Sequence, residues 1–282
     1  MGFGTREKFA PLMVLLGALA LLCIFPGLAQ AGKFYGTVVV EQGVLTLVRD
    51  GQARDYKASS TEVTVEEKDL LRVREASRVV LKTREHATLN LGSNAILHCE
   101  PWIAPKSHGT IRLLFGRFRA KIEGLAGSEG FNVRTTTATI GVKGTEYSLA
   151  QASNGNTAVL ALENTVTATG ADGVEQPVPP GQVSAIVGDA GATKSAPAPE
   201  AFQREMAKID APPPDSKAAL DLPAEKVLVE QGIVSQEALD RSKVERPRLE
   251  LDTHGIPIPK APMNLEDTDT GGSGGRFAPG SR

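Results

Sequence analysis

Three basic residues alternate along one short stretch: Arg117, Arg119 and Lys121 in Gly116-Arg-Phe-Arg-Ala-Lys-Ile122. On an extended strand, residues two apart share a face at about 7 Å intervals. These three therefore line one side of a strand. Arg112 lies just upstream, and Arg134 and Lys143 fall on the following strand pair. Such packed cations could meet an anionic partner: a phosphorylated lipid, an acidic glycan or an acidic protein. The competing account is a solvated sheet face balanced by acids from elsewhere in the chain, with outward cations protecting the sheet from aggregation. The formal net charge of −2 gives no global field toward nucleic acid, and aromatics make up only 5% of residues. Nucleic-acid binding is therefore not expected.

Other reactive residue types do not assemble into a recognisable site. His86, His98, His108 and His254 are the histidines, and His98-Cys99-Glu100 is the densest cluster. Adjacent strand residues point to opposite faces, so Cys99 could not join His98 and Glu100 around a metal that needs three or four converging ligands. No metal or cofactor is expected. The one Gly-x-Ser-x-Gly match, Gly271-Gly-Ser-Gly-Gly275, is a glycine run in the tail expected to be disordered, there is no Ser-x-x-Lys, and Leu125–Gly130 reads as a hairpin turn. Glu66, Glu67 and Asp69 precede Leu70-Leu71 and read as the acidic rim of a turn, not as the paired carboxylates of a glycosidase. Phosphate-binding and dinucleotide fingerprints are missing. The sequence points away from an enzyme.

The N-terminus carries Arg6 and Lys8, an apolar run from Leu12 to Phe25, and then Ala29-Gln30-Ala31. This order is that of a secretory signal peptide, with cleavage expected after Ala31. The run is too short to span a bilayer comfortably, which takes about 20 residues. The mature chain keeps one thiol, Cys99, expected to act as a small buried hydrophobe.

The elements that position these residues are strands. Thr37–Val40, Val44–Val48, Val63–Val65, Val79–Leu81, Ala87–Leu91, Ile111–Ile122, Phe131–Val142, Ala158–Leu162 and Val166–Thr169 are short, β-branched and separated by Gly, Asp, Asn and Ser. Alternation in Ala87–Leu91 and Phe118–Ile122 gives one buried and one wet face. Apolar parity changes at Gly116 and again at Gly144, where a strand must bulge or turn. Beyond Gly188 the chain is rich in Ala, Pro and Gly, with helical signals at Phe202–Ile209, Lys217–Leu222, Ala224–Gln231 and Gln236–Lys243. Gly232 is placed to end one helix and Ser235 to cap the next.

The phrase Phe131-Asn-Val-Arg-Thr-Thr-Thr-Ala-Thr-Ile-Gly-Val-Lys-Gly-Thr-Glu-Tyr-Ser-Leu149 resembles the FecR domain family, named for a periplasmic sensor of iron–citrate uptake. Leu113–Phe118, Ala87–Gly92, Val159–Glu163 and Pro180–Gln182 match flanking elements, so the resemblance covers roughly Gly43–Val187. It implies an exported β module that binds other proteins or cell-surface material. Two departures are visible. Asn164 stands where the family usually has Gly, and Lys68-Asp69 where a Gly-Asp turn is common. Gly144 and Thr145 have a fold-determining reading: glycine for its backbone freedom, threonine for a local hydrogen bond that holds the turn. The cytoplasmic anti-sigma domain and spanning helix of the regulatory members have no counterpart here, so that regulatory role is not carried over.

The expected organisation is a signal peptide at 1–31, an all-β, FecR-like sandwich or roll of many short strands at 34–187, an Ala/Pro-rich linker with a short helix at 188–214, a helical hairpin at 215–245 and a disordered tail at 246–282. The expected role is a non-catalytic periplasmic binding, scaffold or signalling module, with Arg117, Arg119, Lys121, Arg134 and Lys143 as its binding residues. The alternatives are a structural part of a secretion or pilus-like assembly, engaged through the helical hairpin, and an envelope hydrolase.

Overall fold

The computed structural model describes residues 33–101, 110–123, 131–142, 144–212 and 220–245. The signal-peptide and tail assignments, Lys143, His108, His254 and the Leu125–Gly130 turn lie outside the described residues.

The chain is an all-β sandwich with a few short helices. Its strands are β1 (Phe34–Gln42), β2 (Val44–Arg49), β3 (Gln52–Lys57), β4 (Val63–Glu66), β5 (Leu70–Val73), β6 (Arg78–Thr83), β7 (Ala87–Leu91) and β8 (Ile96–Cys99). They continue with β9 (Thr110–Ile122), β10 (Phe131–Arg134), β11 (Thr139–Val142), β12 (Glu146–Gln151), β13 (Thr157–Ala161), β14 (Val166–Thr169), β15 (Glu175–Val178), β16 (Gln182–Ile186) and β17 (Ala196–Pro197). Helices α1 (Glu200–Ala207), α2 (Glu225–Glu230) and α3 (Gln236–Glu245) follow. None of the described helices is long and apolar enough to cross a membrane.

Pairing builds two layers. Sheet A runs β4-β1-β6-β7-β9-β12-β13-β16-β17. Sheet B runs β3-β2-β5-β8-β9-β10-β11-β14-β15, antiparallel except for the parallel β9–β10 pair. Strand β9 belongs to both: its first half pairs in sheet B and its second half in sheet A. Gly116 makes the crossing. Its φ is +91°, and a Cβ there would lie 2.6 Å from the Ala95 Cα, so only glycine fits. The buried parity switches at the same point, from Ile111, Leu113 and Phe115 to Phe118, Ala120 and Ile122.

The inner faces meet in one apolar slab of Val, Leu and Ile with few aromatics. Phe118 and Tyr147 pack edge to face within it, 6.0 Å between centroids. Cys99 is fully buried there, and burial pushes its thiol pKa well up, so it acts as a hydrophobe.

Beyond Gly188 the chain packs back on the sandwich. Thr193 exchanges backbone and side-chain hydrogen bonds with Ser184 and Ala185, and β17 pairs with β16. Phe202 and Met206, four apart on α1, are both buried with Ile209 against a second apolar cluster. That cluster includes Ala150, Ala158, Leu160, Val183 and Ala185 on the outer face of sheet A, and Leu228 and Leu239 from α2 and α3. Small sheet residues let the helices approach closely. Gly232 (φ +68°) follows α2, and the Ser235 hydroxyl accepts from the Ala238 amide at the start of α3. Helical signals at Lys217–Leu222 yield no helix over the described residues Leu220–Leu222.

Candidate functional site

The two outer faces differ, and the basic residues separate between them. On β9 in sheet A, Arg117 donates from Nη1 to the Glu205 carbonyl oxygen, with its guanidinium 3.5 Å from the Glu205 carboxylate. Arg119 Nη1 lies 2.8 Å from Asp210 Oδ2, and its Nε lies 3.6 Å from Glu146. Arg78 on β6 donates to the Asp210 carbonyl oxygen at 2.7 Å. Three arginines thus grip the C-terminal end of α1 and the turn after it, where helix carbonyls lack intrahelical donors. Burial lowers the Arg117 pKa, offset by Glu205. Burial alone would raise the Glu205 pKa, but hydrogen bonds and charges from Lys208 and Arg117 bring it below the ordinary value. Lys121, farthest along the row, pairs with Glu123 at 3.1 Å and stays half exposed.

The stripe read from the sequence is therefore a face answered by Glu205 and Asp210, about 90 residues downstream, together with the nearer Glu146 and Glu123. Arg117 and Arg119 are only 20% and 28% exposed, because α1 and its following turn lie across them.

Sheet B has no described helix on its outer face. One cross-strand row runs Val48, Leu70, His98, Arg112, Arg134, Thr139 and Thr169 from β2 to β14. Arg112 and Arg134 are neighbours through the parallel β9–β10 pairing. They share Glu100: Arg112 Nε donates to it at 2.6 Å, and Arg134 Nη1 lies 3.8 Å away. Two cations on one carboxylate leave one positive charge uncompensated by that pair, and Arg112 and Arg134 are 41% and 55% exposed.

Two shallow depressions adjoin at Arg112. One, of about 550 Å³, has an apolar floor of Val48, Leu70 and Leu114 with His98, Glu100 and Lys68 around it. The other, of about 370 Å³, is lined by Arg134, Thr135–Thr139, Thr169 and Asp189. Burial lowers the His98 pKa; Glu100 pulls it up and Arg112 pushes it down. His98 is thus held neutral near pH 7. No described cluster of His, Cys, Asp or Glu could hold a metal ion.

Of the residues named from the sequence, Arg134 stands on the open face, and Arg117 and Arg119 stand under α1. Arg112, noted only as a neighbour of the stripe, is central to the open face. Strand parity could have placed it there, because the switch at Gly116 sends Arg112 and Arg117 to different sheets.

The turns that frame these faces use specific side chains. Thr145 is buried; its hydroxyl accepts from the Asn164 amide at 2.9 Å and donates to the Asn164 carbonyl. Gly144 has φ +55°, and the Asn164 side-chain amide donates to its carbonyl oxygen. Asn164 replaces glycine without a left-handed backbone: it is not among the positive-φ residues, and it serves through its amide. Lys68, where the related turn has glycine, does take φ +75°. Beside it, Asp69 is buried and bound by the Arg49 guanidinium at 2.6 and 2.8 Å. Arg49 also reaches Glu66 at 2.7 Å, so Glu66 and Asp69 form a corner held by one arginine, a pairing that sequence spacing does not reveal, while Glu67 lies 3.9 Å from Arg84.

No curated protein matches the chain. Two crystal structures of a candidate anti-sigma factor from Parabacteroides distasonis ATCC 8503 are similar. The 2.50 Å structure is 12% identical, with a TM-score of 0.36, over 42% of this chain and 54% of that one. The 1.65 Å structure is 11% identical, with a TM-score of 0.39, over 48% of this chain and 64% of that one. This chain thus spans between half and two thirds of the length of those relatives. From Asp69, the buried corner of β5, through β14, residues 69–167 match the FecR protein family.

Proposed function

We propose that the chain is an exported, non-catalytic FecR-type module of the cell envelope that recognises a protein partner through the outer face of sheet B. One observation carries this reading. The helices of the same chain cover the outer face of sheet A, whereas Arg112, Arg134 and the depressions beside them have no described element over them. A surface-exposed pair of arginines beside apolar side chains is the composition that protein interfaces favour. The family match and the signal-peptide pattern at residues 1–31 support a regulatory or scaffolding role outside the cytoplasm. Among the described residues nothing supplies an activated nucleophile or a convergent acid–base pair, and the reading invokes no chemistry.

Crosslinking capture from whole cells tests it. The wild-type chain is expected to retain a specific partner, and Arg112→Glu with Arg134→Glu to reduce the yield at least tenfold while circular dichroism stays unchanged. Equal capture by the folded variant would refute the assignment.

A further inference from the structure

The hairpin between β12 and β13 turns at Asn154-Gly155-Asn156, and its tip touches both α3 and the open face of sheet B. On the α3 side, Asn156 Nδ2 donates to Ser242 Oγ at 2.9 Å and Asn154 Nδ2 does so at 3.4 Å. The Ser242 hydroxyl donates in turn to the Leu239 carbonyl oxygen at 2.8 Å. Asn156 and Ser242 are 0% and 1% exposed. These bonds are made out of water, so an amide that lost its acceptor there would be left unsatisfied or would have to move.

From this tip two arms reach the same hydroxyl-lined depression beside Arg134. In the first, the Gly155 carbonyl oxygen accepts from the Thr137 hydroxyl at 2.7 Å, and a Cβ on Gly155 would lie 3.2 Å from the Thr136 Cβ. Thr136 is also held by Gln151, whose side-chain amide donates to its hydroxyl at 2.7 Å and to the Leu114 carbonyl oxygen at 2.8 Å. In the second arm, Asn156 Oδ1 accepts from the Gly188 amide at 3.0 Å, and the next residue, Asp189, lines the depression. Two walls of one depression, Thr136–Thr137 and Asp189, therefore hang on a three-residue tip whose far side rests on α3.

That support is light. Over residues 236–244 of α3 only Leu239 and Ser242 are buried, and Val244 is 84% exposed. An element with so few buried contacts opens at a lower free energy than the sheets beneath it. Resting on the proposal that the outer face of sheet B is the recognition surface, we infer that Asn156 and Ser242 are its positioning residues: the depression beside Arg134 holds its shape only while α3 is docked. A partner that draws α3 away then loosens the face on the other side of the sandwich.

Amide hydrogen exchange on the full chain, resolved by residue with NMR, tests this without a partner. Ser242→Ala and Asn156→Ala are each compared with wild type in the urea concentration that matches the variant's loss of stability. Both variants are expected to speed exchange at Thr136, Thr137 and Gly188 at least fivefold over the matched wild type, while β1 and β6 exchange at its rate. Faster exchange confined to α3, a rise no greater than in the matched wild type, or an effect of Asn156→Ala without one of Ser242→Ala would overturn the inference. Partner capture that needs Arg112 and Arg134, with exchange at the depression indifferent to Ser242, would overturn it and leave the proposed function standing. Exchange coupled to Ser242, with capture indifferent to both arginines, would uphold the link from α3 to the depression and sink the proposed function.

Discussion

The outer faces of sheets A and B begin from the same material, alternating polar residues with arginines on β9, and end differently. On sheet A the small residues Ala150, Ala158 and Ala185 admit helices, and Arg78, Arg117 and Arg119 bind α1 and the turn behind it. On sheet B the floor beside Arg112 is Leu70 and Leu114, both only partly covered, with buried Val48 next to them. Arginine at a sheet surface is therefore not in itself a sign of recognition. What distinguishes the two is whether the acid that answers it brings a covering element along, as Glu205 and Asp210 do, or sits in the sheet's own turn, as Glu100 does.

Four changes sharpen that contrast. Gly116→Val attacks the point where β9 leaves one sheet for the other. It combines a left-handed φ with a Cβ 2.6 Å from Ala95 Cα, and should cost more than about 4 kcal/mol, read as loss of cooperative urea unfolding. Phe202→Ala removes the fully buried anchor of α1 and should cost about 3–5 kcal/mol. The matching truncation on the open face, Leu114→Ala, should cost less than about 1 kcal/mol in the same urea titration, because that side chain is only partly covered. If the two truncations cost the same, the faces are equally covered and the contrast fails. Asp210→Asn weakens the Arg119 pair on a partly exposed surface and should cost only about 0.5–1 kcal/mol. A larger loss would mean that the arginine grip, not the apolar cluster, holds the helices down.

The smallest effect is a pH dependence. Folding lowers the His98 pKa, so the unfolded chain binds that proton more readily. The stability that neutral His98 contributes is present above its unfolded pKa of about 6.5 and is lost as pH falls through that value toward the lower folded one. The Tm of His98→Asn, compared with wild type at pH 7.5 and 5.5, should show the wild type losing more on acidification. An equal loss in both would place the acid sensitivity elsewhere.

Much of the fold was legible in the sequence because local pattern and tertiary role coincide. Alternation gave the buried faces of β7 and β9, the parity switches marked Gly116 and Gly144, and Gly232 with Ser235 marked the α2–α3 turn. The candidate site was half legible. Parity put Arg117, Arg119 and Lys121 on one face, but whether water or protein lies over that face depends on Glu205 and Asp210, residues that no local period links to β9. The same holds for Arg49, whose pairing with Asp69 closes a corner across 20 positions. Arg112 and Arg134 become neighbours only through the parallel β9–β10 pairing, which a single sequence does not specify.

The most direct test of the account places p-benzoylphenylalanine at Leu114 on the open face and, separately, at the exposed Lys226 on α2, in whole cells. The account predicts one specific protein adduct from position 114 and none from 226. The same adduct from position 226 alone, or equally from both, would contradict it.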